Sequence, residues 1–209
     1  MSLVIGIDLD NTIIDYGDLF YQVAVVERLI TDSAHSVAKT DVREQVRALA
    51  DGEAKWQLVQ SIVYSQELVR AQLFEGVTEF LNHCREREVG VNIISHKTEF
   101  PNSAEVPAVN LRQAALDWLE QRGVVEPAAG FLVPRQHVSF HATRQEKLAS
   151  IREQQCDYFI DDLPQVLAAP SFPATTKRIL FSPDRNDGPH DFISCTCWRE
   201  IDKVIFSEA

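Results

Sequence analysis

Asp8 and Asp10 stand two residues apart, directly after the apolar run Leu3-Val4-Ile5-Gly6-Ile7. That run has no polar side chain and is rich in β-branched residues, so it predicts a strand buried on both faces that ends where the acids begin. Side chains at i and i+2 of an extended chain point the same way. Two converging carboxylates repel each other unless a cation lies between them or one holds a proton. Further groups of chemical interest follow at comparable places. Ser95 ends the strand-like run Val89 to Ile94, with His96 next to it. Lys147 lies one turn into a helix opened by the capping box Thr143-x-x-Glu146, and Asp161-Asp162 follow Tyr158-Phe159-Ile160. Each has an ordinary reading: Asp10-Asn11 as turn formers, Ser95 as a turn cap, Lys147 as a solvated lysine, Asp162 as the N-cap of a helix at Pro164. Their common placement at element ends favours a shared site over four separate coincidences.

The elements that must position these groups alternate between strand and helix. After the first strand, residues 16–72 contain almost no Pro or Gly and carry apolar stripes at helical spacing. The first, Leu19, Phe20, Val23, Ala24, Leu29 and Ile30, is broken by Thr31-Asp32-Ser33. A second runs through Val42, Val46 and Leu49 with Thr40 or Asp41 as its cap, and a third through Trp56, Val59, Ile62 and Val63 after Asp51-Gly52. From Leu73 onward the spacing predicts a helix at Gly76–Arg87, a strand at Val89–Ser95 and a polar loop from Lys97 to Val106. A helix opened by Pro107 and closed by Gly123 comes next, with a short strand at Phe131–Val133. A helix after Thr143, a strand into Asp161, a short helix at Pro164, a strand at Arg178–Phe181 and a terminal helix around Trp198 complete the series. Such alternation means βαβ units and a mostly parallel sheet, with strand carboxyl ends on one edge. The fold class is therefore α/β, Rossmann-like, with a small α-helical insertion after the first strand. Ligands of such sheets bind beyond the strand carboxyl ends, which makes the insertion a candidate lid.

Net charge is −11 over 209 residues. That argues against nucleic acid or an anionic membrane as partner, since both need a basic face. An anionic substrate would instead need local positive charge, and a bound metal is the obvious source. Neither a signal peptide nor a membrane span is expected, which points to the cytoplasm. The four cysteines, Cys84, Cys156, Cys195 and Cys197, lack zinc-site spacing and are expected to be thiols.

Asp8-Leu9-Asp10-Asn11-Thr12, Ser95, Lys147 and Asp161-Asp162 resemble, in order, the four motifs of the haloacid dehalogenase (HAD) superfamily of phosphohydrolases. Leu73-Phe74-Glu75-Gly76-Val77 is similar to the stretch where such chains return from their cap. Residues 185–209 lie outside the resemblance. It implies a catalytic core of residues 1–15 and 73–209, a helical cap of residues 16–72, and Mg²⁺ as cofactor. It further implies metal binding by Asp8, Asp161 or Asp162 and the main-chain carbonyl of Asp10. The implied activity is hydrolysis of a small phosphorylated metabolite, a sugar phosphate or nucleoside monophosphate, through an aspartyl-phosphate. In that reading Asp8 is the nucleophile and Asp10 the proton shuttle. Ser95 donates to the phosphoryl group, Lys147 neutralises charge, and His96 is a candidate substrate contact. Lys97 rivals Lys147 as the cation. Phosphotransfer from the same site and a retired binding protein are the alternatives.

Overall fold

The apolar run at the N-terminus forms β1 (Val4–Ile7) in the computed structural model, which describes residues 3–31, 38–126, 130–183 and 190–207. β2 (Ile14–Asp15), α1 (Leu19–Val26), α2 (Lys39–Arg47), α3 (Gly52–Ser65) and β3 (Gln72–Leu73) follow. The chain continues with α4 (Val77–Glu86), β4 (Gly90–His96), α5 (Leu111–Gln121), β5 (Val138–His141), α6 (Arg144–Glu153) and β6 (Tyr158–Asp161). It ends with α7 (Pro164–Leu167), β7 (Lys177–Phe181), β8 (Ile193–Cys195) and α8 (Trp198–Phe206). Six strands form one parallel sheet in the order β5-β4-β1-β6-β7-β8, and β2 pairs with β3. Strand order reverses at β1: the chain runs outward through β4 and β5, then returns to β1's other side as β6. This is the Rossmann-like arrangement that the alternation predicts, and its switch point lies at the strand that ends on Asp8.

The chain divides into two compact units. One comprises residues 1–15, 73–97 and 119–209; the other comprises residues 16–72 and 98–118. In the first, both sheet faces are buried. Ile94, Leu148, Ile151, Phe159, Val166 and Leu180 pack into one apolar cluster, each such side chain contributing about 1.5–3 kcal/mol by leaving water. On α4 and α8, Phe80 meets Trp198 with ring centroids 5.1 Å apart. In the second unit α1, α2 and α3 pack on one another. Phe20 stacks on Trp56 at 5.5 Å, Tyr16 meets Tyr64 edge-on at 5.3 Å, and Val42, Val46, Val59 and Val63 are fully buried. The loop after Lys97 belongs to this unit, and the Ser103 N–H donates to Ser61 Oγ of α3 at 3.3 Å.

Several boundaries differ from expectation, each for a local reason. α1 ends at Val26, before Leu29 and Ile30, because Arg28 turns left-handed (φ 56°) and the Leu29 N–H donates back to Ala24 O at 2.8 Å. The Asp32-Ser33 break lies outside the described residues. α2 starts at Lys39, ahead of Thr40 and Asp41. α5 starts at Leu111, four residues after Pro107, because Asn110 supplies the cap: its Oδ1 accepts from the Gln113 N–H at 2.9 Å. Gly123 closes α5 as expected, its N–H donating to Glu120 O at 3.0 Å. Phe131–Val133 is not a strand of the sheet. Val133 makes one isolated bridge to Val125, Pro134 removes the next donor, and the strand beside β4 is the less apolar Val138–His141. β8 is the other strand of the six-stranded sheet that the sequence did not predict. Both are sheet edges, where pairing to a single neighbour needs little hydrophobic signal.

Candidate active site

Register brings the motif residues to one edge. Ile7 pairs with Ile93 of β4 on one side and Ile160 of β6 on the other. Asp8, Ser95 and Asp161 therefore come out beyond the same level of three adjacent strands. The Asp8 N–H extends the ladder, donating to Ile160 O at 2.9 Å. Asp8 and Ser95 are buried, Asp161 wholly so.

α6 delivers the cation. The capping box predicted at Thr143 is formed: the Glu146 N–H donates to Thr143 Oγ1 at 3.2 Å, and Glu146 Oε2 accepts from the Ala142 and Thr143 N–H groups. With its start so fixed, the helix aims Lys147 back over the sheet edge. Lys147 Nζ donates to Asp8 Oδ1 at 2.5 Å and to Asp161 Oδ2 at 2.6 Å, and lies 5.3 Å from the Phe159 ring centroid. The solvated-lysine reading is thereby removed, since only 1% of Lys147 is exposed.

Electrostatics follow from this burial. Burial most of all raises the Asp8 carboxyl, and with Asp161 and then Asp10 pushing the same way against the pull of Lys147 it stands at about 7. Burial alone would lower Lys147, but the Asp161 and Asp8 carboxylates hold it above its ordinary value, so it stays charged.

Lys97 is a second cation at the site. It is almost wholly buried, and its Nζ donates to both oxygens of Asp10, at 2.9 Å and 2.7 Å. The two lysines thus bind different carboxylates, Lys97 that of Asp10 and Lys147 those of Asp8 and Asp161. His96 is exposed, its Nε2 lying 3.0 Å from Ala142 O, and it pairs in register with His141, the last residue of β5. His141 is half-buried there, on the edge strand of the sheet. Arg144 is exposed at the start of α6.

Asp162 is not the N-cap of α7. Leu163 holds that place without a side-chain cap, and Asp161 Oδ1 accepts the Leu163 N–H at 2.8 Å. Asp8, Asp161 and Asp162 each offer a carboxylate oxygen within 4.8 Å of the others. Three hard oxygen donors so close suit a cation of the Mg²⁺ kind, so the residues present fit the group. Two buried hydroxyls, Ser95 Oγ and Thr12 Oγ1, find no hydrogen-bond partner among the described residues. A buried unpaired hydroxyl is costly, and at Ser95 it borders the carboxylates. Thr12 carried no sequence signal beyond its place in the first motif. The cysteines are free, three of them buried, and no described helix is long and apolar enough to cross a membrane.

No family model and no curated protein matches the sequence. Solved structures do match. A haloacid dehalogenase-like hydrolase of Streptococcus pneumoniae superposes with a TM-score of 0.65 at 13% identity, covering 98% of each chain. A HAD family hydrolase of Deinococcus radiodurans, solved with bound phosphate and sodium, gives 0.60 at 12%, over 99% of this chain and 96% of that one. A HAD hydrolase of Bacillus subtilis bound to magnesium gives 0.55 at 12%, over 98% and 99%. The chain thus has the fold of the haloacid dehalogenase superfamily hydrolases along nearly its whole length.

Proposed function

We propose that the protein is a Mg²⁺-dependent phosphomonoester hydrolase acting on a small phosphorylated metabolite through an aspartyl-phosphate on Asp8. The observation that carries this reading is the Lys147 bridge between Asp8 and Asp161 at the carboxyl edge of the sheet. Asp8 attacks phosphorus; Lys147 orients the carboxylate and offsets charge gathering on the phosphoryl oxygens. Ser95 donates its otherwise unpaired hydroxyl to one of those oxygens. Asp10, entering the first step protonated, hands its proton to the leaving oxygen, and as the carboxylate then takes one from the water that hydrolyses the intermediate; Lys97 holds that carboxylate form in place. Asp8, Asp161, Asp162 and the main-chain carbonyl of Asp10 are the ligand set for Mg²⁺, which when bound supplies charge neutralisation at the phosphoryl group.

Residues 16–72 serve as the cap in this reading, by their point of insertion between β2 and β3, and a cap favours small substrates. A screen of phosphorylated metabolites and a generic aryl phosphate against the purified protein, with Mg²⁺ and with chelator, tests it. Phosphate release that requires Mg²⁺ is expected. Correctly folded protein that releases none from any of them would favour a binding protein instead.

A further inference from the structure

Trp198 opens α8, in the C-terminal stretch that carries none of the motifs. Its indole Nε1–H donates to the main-chain carbonyl of Thr12 at 3.2 Å, across 186 positions of sequence. Thr12 belongs to the turn that carries Asp10. In that turn the N–H groups of Thr12, Ile13 and Ile14 all point to Leu9 O, at 3.4, 3.0 and 3.0 Å. Asn11 is left-handed (φ 62°) and its N–H donates to Ile14 O at 3.0 Å. Ile13 O accepts from the Phe74 N–H at 3.0 Å, and Trp198 holds the carbonyl just before it.

The donor itself is rigid. Trp198 is buried among Phe80, at 5.1 Å, and Phe181, at 5.8 Å between centroids. Gly76 sits so close that a Cβ there would lie 2.9 Å from Trp198 Cβ, and its φ of 92° favours glycine in any case. A buried indole N–H needs an acceptor, and here packing aims it at the turn.

We propose that Trp198 is a positioning residue for the phosphoryl-transfer reaction: its bond to Thr12 O sets the turn Leu9–Ile14 and so the orientation of Asp10 toward the leaving oxygen. The inference rests on the reading of Asp10 as proton shuttle. Small misplacements of a catalytic group carry large rate penalties.

The test compares kcat/KM, which covers steps only through leaving-group departure, on an alkyl phosphate and on an aryl phosphate with a good leaving group. Protonation of the leaving oxygen matters for the first and hardly for the second. Trp198→Phe keeps the ring packing and removes the donor. It is expected to lower kcat/KM about tenfold on the alkyl phosphate and by less than about twofold on the aryl one. Phe181→Leu loosens the same packing without touching the hydrogen bond, and should lower Tm while leaving the ratio of the two substrates unchanged. If Trp198→Phe does not fold, the benzothienyl analogue of tryptophan at position 198, which keeps the shape without the N–H, takes its place. An equal loss on both substrates, or none, overturns the positioning role while leaving the phosphatase reading intact. A wild-type protein with no turnover of either phosphate overturns both.

Discussion

Lys97 Nζ grips both carboxylate oxygens of Asp10, at 2.9 Å and 2.7 Å, in a pair whose side chains are 3% and 14% exposed. A surface pair of this kind contributes little, but a buried one is costly to break because it strands a charge. Lys97→Met is therefore expected to destabilise the protein by about 3 kcal/mol, the low end for a buried pair because Asp10 keeps some contact with water. Urea unfolding measures it; a change below about 1 kcal/mol would mean the pair behaves as a surface contact.

Ser95 should behave in the opposite way. Its buried hydroxyl has no partner among the described residues, so removing it costs the fold nothing in hydrogen bonding. Ser95→Ala is expected to leave stability within about 0.5 kcal/mol of wild type or raise it slightly. The same change should cut kcat/KM about 10- to 100-fold by removing a donor to the phosphoryl group. Thermal melts and steady-state kinetics on one preparation check both halves. A stability loss matching the activity loss would show that Ser95 supports the fold instead.

The Asp8 carboxyl gives a pH signature in chelator-treated protein. Its folded pKa, pushed up to about 7 by burial, lies above the unfolded value of about 3.9. Between those values the folded state holds a proton that the unfolded state has lost. Asp8 therefore lowers stability progressively as pH rises from about 4 to about 7, and its penalty is full above that. Asp8→Asn carries no such proton. The stability of Asp8→Asn minus that of wild type should grow from pH 5 to pH 8, read by denaturant melts in chelator. A difference that is flat or shrinks with pH would place the Asp8 carboxyl in a different electrostatic setting.

Much of this site was legible in the chain because its signals are local. A β-branched run ending on Asp8, a serine after a second such run, and a threonine three residues before a glutamate each fix a residue within one element. Parallel topology then gathers the element ends. What stayed hidden depends on contacts distant in sequence. β5 is half-buried along its length and is a strand because β4 offers it an edge. Asn110 overrides Pro107 only because its side chain reaches the Gln113 N–H. The division of labour between Lys97 and Lys147 depends on which carboxylate each reaches in space, and the bond from Trp198 to Thr12 has no counterpart in spacing or periodicity.

The central claim is that Asp8 forms a covalent bond to phosphorus. Its most direct measurement is mass spectrometry of acid-quenched protein taken during turnover of an aryl phosphate with Mg²⁺, followed by peptide mapping. A phosphoryl adduct is predicted on Asp8, absent from Asp8→Ala and from chelator-treated protein. Turnover with Asp8 unmodified, or an Asp8→Ala protein that hydrolyses the substrate at the wild-type rate, would contradict the account.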